Sequence, residues 1–407
     1  MTYRINIFLV LAVAGLFIVA PALAGKRPEK TLAGAVGQGD AIVIRNMATG
    51  DALFSGKGDS PMVPASIIKL VTSLAAFHYL GRDFRFVTEC YQRPDGALLL
   101  KGYGDPALVS EEMSLLAEAV SRLVRQASDI VVDHSFFQSP VDIPGRNPDS
   151  LEPYDAPNGA LCLNYNTVFF KNENGRPVSA EPQTPLLSLA VAQIRSTAAP
   201  PGRRMVIRDQ GQAARYAGEM FAYCLADRGC RVTGQVTEGR VDPATDRLVY
   251  TYVSRHDLAA VVTQLLRFSN NFTANQLLLC CGAKKFGPPA TLAKGLAAVG
   301  DYLQQELKIN DIILVEGSGL SVDNRVSAGT MSLVLTAFSP YRTLMRPQDG
   351  QEYYKTGNLT GVSTRAGFLE TSSGGLYGYV MMSNKPGRDV GRLMPAVREL
   401  VRRADFP

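Results

Sequence analysis

Between Ile67 and Phe77 the chain places Ile67, Ile68, Leu70, Val71, Leu74, Ala75 and Phe77 in a run too continuous for a surface helix. Such a run suits a helix buried inside a core, which other elements must wrap. Pro64 and Ala65 lead into it, and Ser66 and Lys69 stand at its start. Three residues of spacing put the hydroxyl and the amine one turn apart on one face. An ordinary lysine is charged and no base, and an ordinary serine is a weak nucleophile. In a largely buried, electropositive setting the lysine loses its proton and can take the one from serine. Ser-x-x-Lys is common by chance, so its meaning depends on what the rest of the chain supplies.

Residues 1–24 have Arg4, an apolar run from Ile7 through Ala20, and Pro21-Ala22-Leu23-Ala24 before Gly25-Lys26-Arg27. This is the pattern of a secretory signal peptide, with cleavage expected after Ala24; a retained N-terminal anchor is the alternative. No cysteine follows the apolar run, which argues against lipid attachment there, and no later stretch is apolar and long enough to span a bilayer. The mature protein is expected to be exported and soluble, with an edge free to touch a membrane surface. It exceeds what one core holds, so two or more domains are expected.

Net charge is +5 with the basic residues scattered, which tolerates an anionic wall polymer as partner. No basic, aromatic-rich stripe indicates nucleic acid. The three histidines, His78, His134 and His256, are far apart in sequence and suggest neither a metal site nor a histidine base. Of six cysteines, Cys224 and Cys230 close a short loop and are the expected disulfide in an exported protein. Cys280 and Cys281 are adjacent, and a bridge between them would be strained.

Asp40 to Phe54 reads as two strands around Met47–Gly50. Strands are expected at 84–91, 96–101 and 129–133, with a helix over 108–127. Residues 138–161 are rich in proline, asparagine and aspartate, an ordered loop leading into a strand over 161–170. Further short strands at 203–208 and 232–237 make 91–245 a β-rich insert. Helices return at 257–266 and 273–283, and their joint carries Ser269-Asn270-Asn271 on a rigid support. After a helix over 290–307 comes Gly317-Ser-Gly-Leu-Ser321, which lacks the lysine and helix of a nucleotide loop. A helix over 331–338 precedes Tyr353-Tyr354-Lys355-Thr356-Gly357-Asn358. There lysine and threonine could clamp a carboxylate, and glycine lets a ligand approach the backbone. Strands at 364–369 and 375–382 follow, then a helix over 390–401 that Pro395 either kinks or starts.

Ser66-x-x-Lys69, Ser269-Asn270-Asn271 and Lys355-Thr356-Gly357, in that order, resemble the three signatures of penicillin-binding proteins and serine β-lactamases. The separation of 203 positions from Ser66 to Ser269 narrows the resemblance to the D-alanyl-D-alanine carboxypeptidase/endopeptidase family, serine peptidase family thirteen, also called low-molecular-mass class C penicillin-binding proteins. Gly102-Tyr-Gly-Asp-Pro106, Tyr154-Asp-Ala-Pro157, Asn164-Tyr-Asn166, Gly317–Ser321 with Asn324-Arg325, and Lys355–Val362 also resemble that family, so the likeness covers nearly the whole mature chain. The family commonly has Asp before Gly-Ser-Gly and Arg after it, where this chain has Glu316 and Val322.

The resemblance implies an α/β fold of the serine β-lactamase/DD-peptidase type: an antiparallel sheet flanked by helices, a helical subdomain, and the β-rich insert. Residues 25–90 and 246–407 would form the catalytic domain and 91–245 the insert, with a second insert reduced or missing. It also implies catalytic roles for Ser66, Lys69 and Ser269. Asn271, Lys355, Thr356, Gly357 and Asn358 would bind substrate, with the backbone N–H groups of Ser66 and Asn358 holding an oxyanion. Peptidoglycan stem peptides and β-lactam antibiotics are the implied partners, the periplasm is the implied location, and no cofactor or metal is called for. Relatives leave a homodimer open. The competing readings are a serine β-lactamase and a non-catalytic wall-binding module.

Overall fold

The computed structural model describes residues 27–405, so the expected signal peptide lies outside the described residues. Helix α1 (Pro28–Ala35) precedes the hairpin β1 (Asp40–Asn46) and β2 (Ala52–Gly56). A 3₁₀ turn, Ala65–Ile68, runs into α2 (Lys69–Leu80). Next come β3 (Arg85–Gln92), β4 (Leu98–Gly102), α3 (Ser110–Leu123), β5 (Gln126–Ala127) and β6 (Ile130–Asp133). Beyond the proline-rich loop lie β7 (Val168–Glu173), β8 (Arg176–Ser179), α4 (Ser188–Ser196), β9 (Gly202–Arg204) and α5 (Gln210–Asp227). They are followed by β10 (Arg231–Val232), β11 (Val236–Glu238) and β12 (Arg247–Asp257). Helices α6 (Leu258–Phe268), α7 (Asn271–Phe286), α8 (Leu292–Gln305) and α9 (Ala328–Phe338) come next. The described chain ends with β13 (Arg346–Gln348), β14 (Glu352–Leu359), β15 (Val362–Glu370), β16 (Leu376–Ser383) and α10 (Met394–Asp405).

One sheet has the order β13-β14-β15-β16-β1-β2 and is antiparallel at every junction. Its middle strands are apolar without alternation because both faces are covered. Ala41, Val43, Val380 and Met382 face the core shared with α2, α7 and α9. Ile42, Ile44, Tyr379 and Met381 face α1 and α10. The expected apolar stripe of α10, Met394, Val397, Leu400 and Val401, is buried there. Pro395 lies in the first turn of that helix, where its missing N–H costs no hydrogen bond, so it starts the helix rather than kinking it. Beneath α10 the fully buried Glu352 pairs with Arg365 at 2.6 Å and Arg398 at 2.8 Å.

The second sheet, β11-β6-β4-β3-β12, is parallel among its first three strands and antiparallel among the rest. With α3 and α5 it builds a separate core, and it reaches past residues 91 and 245 to Arg85 and Asp257. The small antiparallel sheet β8-β7-β9 adjoins it.

Three local expectations are corrected. The 18-residue α5 was not anticipated within 91–245. Its Gly211 and Gly218 obscure helical propensity, yet a Cβ on Gly218 would lie 2.6 Å from Val236 and 2.7 Å from Val132, so close packing on the sheet requires glycine there. The strand expected over 161–170 starts only at Val168, because Asn164, Tyr165 and Asn166 all adopt left-handed backbone and turn the chain. Cys224 and Cys230 are not bridged; all six cysteines are free and buried. Cys224 is held in the last turn of α5, and the Cys230 N–H bonds back to Leu225 at 3.0 Å, so each thiol packs into the core. Burial raises the pKa of every one of these thiols, which leaves them poor nucleophiles.

Candidate active site

Ser66 sits inside the 3₁₀ turn rather than in the first α-helical turn. Ala65 enters that turn with φ +47°, and Gly319 packs so closely that a Cβ there would come within 2.0 Å of the Ala65 carbonyl oxygen. At a helix start the Ser66 N–H has no upstream carbonyl to bond. Its nitrogen lies close against β14, where a Cβ on Gly357 would come within 2.6 Å of it. Thr364 of β15 donates its hydroxyl to the Pro64 carbonyl at 2.8 Å, which ties the turn to the sheet.

Lys69 is fully buried. Its Nζ lies 2.8 Å from Ser66 Oγ, 2.8 Å from Asn271 Oδ1 and 2.6 Å from the Ser318 carbonyl. A carbonyl and an amide oxygen can only accept, so they use two N–H groups. A neutral amine has two such hydrogens and one lone pair, and that lone pair is then left for the Ser66 hydroxyl. The Asn271 amide is oriented by its own Nδ2, which donates to the Tyr154 carbonyl at 3.2 Å. Burial, and then the charge of Lys355, hold the Lys69 pKa well below the usual lysine value, while Glu316 opposes them. That shift favours the uncharged amine, the form whose lone pair can accept a proton.

The Ser318 carbonyl is placed by Glu316, which is fully buried. Its carboxylate accepts from Ser318 N at 2.7 Å, Ser318 Oγ at 2.6 Å, Gly319 N at 2.6 Å, Asn275 Nδ2 at 3.1 Å and Asn324 Nδ2 at 2.8 Å. Thr72, one turn beyond Lys69, donates to the Gly317 carbonyl at 2.7 Å. Ser318, Asn275, Asn324 and Thr72 were not among the expected site residues. The glycine-serine turn and the family resemblance at Asn324-Arg325 were the signals near them, and partners this far apart in sequence leave no spacing to read. Val322, where the family commonly carries arginine, is 55% exposed.

Ser269 ends α6 in left-handed backbone, φ +57°, and Asn270 caps α7 by accepting from Thr273 N at 2.9 Å. The two helices therefore meet in a fixed corner, with Ser269 on one side and Asn271 on the other. Lys355 reaches this corner from β14, its Nζ 2.9 Å from Ser269 Oγ and 2.5 Å from the Thr356 carbonyl. Burial, with a smaller push from Arg346, lowers its pKa to about 7. Strand β13 pairs with β14 only as far as Tyr354, so Lys355 to Leu359 form an open edge of the sheet. Thr356 is half-buried and Asn358 exposed along it. An extended peptide could add to this edge beside Ser66. The structure thus brings Ser66, Lys69, Ser269, Asn271, Lys355 and Gly357 into one place, with Thr356 and Asn358 along its rim.

The overall structure is similar to the crystal structure of penicillin binding protein 4 (dacB) from Haemophilus influenzae, with TM-score 0.72 and 22% identity, covering 92% of this chain and 99% of that one. The two share one architecture, a helix-flanked antiparallel sheet with a β-rich subdomain. A model described as the D-Ala-D-Ala carboxypeptidase 3 (S13) family matches residues 29–213 and 199–341. The chain belongs to that family. It is also similar to a D-alanyl-D-alanine carboxypeptidase of Actinomadura sp., 28% identical over 354 residues, 74% of this chain but only 64% of that relative's length. A carboxypeptidase of Mycobacterium tuberculosis is 25% identical over 405 residues, 87% of this chain and 78% of that one.

Proposed function

We propose that the protein is a serine-type D-Ala-D-Ala carboxypeptidase, with endopeptidase capacity, acting on peptidoglycan stem peptides through an acyl-enzyme on Ser66. The observation that carries this is the Lys69 amine, buried and held by two obligate acceptors so that its remaining valence meets Ser66 Oγ at 2.8 Å. Ser66 attacks the carbonyl of the penultimate D-alanine and Lys69 takes the hydroxyl proton. The backbone N–H groups of Ser66 and Asn358 hold the oxyanion. Ser269, bonded to Lys355, relays a proton to the leaving amine. Lys355 and Thr356 bind the terminal carboxylate, Gly357 lets the strand close on Ser66, and Asn271 holds the substrate backbone. Water then releases the acyl group.

A β-lactam would acylate Ser66 by the same attack, because its strained amide presents a carbonyl and a carboxylate to the same groups. The action is in the periplasm, after removal of the leader. The test is D-alanine release from a wall pentapeptide, with penicillin labelling followed by intact mass. Both activities are expected in the wild type and neither in Ser66→Ala. Labelling of a folded Ser66→Ala protein would refute the nucleophile, and a short-lived penicillin adduct would favour a β-lactamase instead.

A further inference from the structure

We propose that Arg267 and Arg346, at the Lys355 end of the open β14 edge, form a subsite for the leaving half of a cross-linked wall dimer and recognise the carboxylates of its second stem peptide. This deepens the peptidase reading and rests on it.

Strand direction selects the place. Strand β13 pairs antiparallel with β14 from Gln348 opposite Glu352 to Arg346 opposite Tyr354, and Arg346 is its first residue. A substrate whose C-terminal carboxylate sits at Lys355 and Thr356 must run antiparallel to β14, in the same lane and the same direction as β13. Its C-terminal end is therefore aimed at Arg346. The Ser66 nitrogen lies against Gly357, so whatever follows the scissile bond is carried past Lys355 towards β13. Successive side chains of a strand point to opposite faces, which puts Lys355 on the Ser269 side and Tyr354 on the other. Arg346 lies over the Tyr354 ring at 5.8 Å, and Arg267 stands two residues before Ser269 on α6, which packs against β13. The two guanidinium groups thus approach the end of the lane from either face.

The local charges call for an anion. Along α6, the Ser339–Leu344 turn, β13 and β14 the charged side chains are Arg267, Arg342, Arg346, Glu352 and Lys355. The one acid among them, Glu352, is fully buried and held by Arg365 and Arg398, while Arg342 is paired with Glu370 at 2.6 Å. Asp349, after β13, is held by Arg398 at 3.1 Å. Among the described residues no carboxylate comes within 4.0 Å of Arg267, Arg346 or Lys355. The leaving group of a free pentapeptide is D-alanine, whose single carboxylate Lys355 and Thr356 receive, and it makes no use of the two arginines. In a cross-linked dimer the leaving amine belongs to a second stem, which brings further carboxylates and the aliphatic side chain of its diamino acid. Phe268, 68% exposed beside Arg267, offers that chain an apolar surface.

The test compares a soluble pentapeptide with a cross-linked muropeptide dimer on the full chain. The ratio of kcat/KM for dimer to that for pentapeptide should fall about tenfold in the Arg267→Ala/Arg346→Ala double variant, and Arg267→Lys/Arg346→Lys should retain most of it. Taking the ratio cancels any change in the charge of Lys355, which both substrates feel. Both arginines are exposed, so the variants keep the fold. In parallel, the Ser66→Ala chain should bind dimer more tightly than pentapeptide, a preference that salt weakens and the double variant loses. An unchanged ratio, a wild type that hydrolyses pentapeptide but no dimer, or a Ser66→Ala chain without the preference would overturn the proposal. A chain that binds dimer through these arginines yet hydrolyses neither substrate would uphold the subsite and refute the peptidase reading instead.

Discussion

Gly357→Ala places a single methyl group where β14 meets the nucleophile. The added Cβ would lie 2.6 Å from Ser66 N, 2.5 Å from Thr364 Oγ1 and 3.0 Å from Ala65 Cβ. Ordinary contact begins near 3.4 Å, so the strand must withdraw by roughly 0.8 Å. Thr364 cannot swing away freely, because its hydroxyl is engaged with the Pro64 and Gly357 carbonyls. Overpacking of this kind costs about 1–3 kcal/mol of stability. Displacing one half of an oxyanion site by close to 1 Å costs about 100-fold in rate. Acylation by a chromogenic β-lactam, followed under stopped flow, should slow by about that factor, while thermal unfolding moves only modestly. A stably folded Gly357→Ala enzyme that acylated at the wild-type rate would show that β14 does not form part of the reacting geometry.

The pH profile should have an alkaline limb near 7. Above that value Lys355 loses the charge that receives the substrate carboxylate, so kcat/KM should fall, and Lys355→Arg should move the limb upward. Acidification that returns a proton to Lys69 should abolish acylation, read as burst amplitude. The folded state holds fewer protons on Lys355 than the unfolded chain does, so its contribution to stability should grow as pH rises from about 7 towards about 10.4, which denaturant titrations at several pH values would register. Glu316→Gln should destabilise the fold by about 3 kcal/mol and slow acylation, because every group around that carboxylate is a donor and an amide nitrogen would face one of them. Ser269→Ala should reduce D-alanine release about 100- to 10,000-fold while leaving the unfolding temperature nearly unchanged.

The site was legible where chemistry is packed into short stretches. Ser66 with Lys69, Ser269 with Asn271, and Lys355 with Gly357 each announce themselves within four residues, and only folding reveals that they meet. The support around them was not legible, because Glu316 reaches Asn275 and Asn324, and Thr72 reaches Gly317, across gaps that carry no periodic signal. Strands and helices followed their expected ranges where the signal was unbroken, as in the helical period of α6 and the continuous apolar run of β16. They were lost where local backbone broke the pattern: the glycines of α5 hid a helix, and the left-handed Asn164–Asn166 cut short a strand. The disulfide expectation failed because loop length counts residues, whereas in the fold both thiols are free and packed in the core.

Buried in the middle of α7, Gln276 donates to the Gly104 and Gly159 carbonyls and accepts from Asn158 and the Gly159 N–H, so all its polar capacity is spent on the other unit. Five residues earlier the same helix presents Asn271 to Lys69. Excising the insert would remove all of these partners at once and unmoor the helix that presents Asn271 to Lys69. The half that carries Ser66 and Lys69 is therefore no detachable module, and engineering that trims the chain must either keep the insert or rebuild the surface on which Gln276 rests.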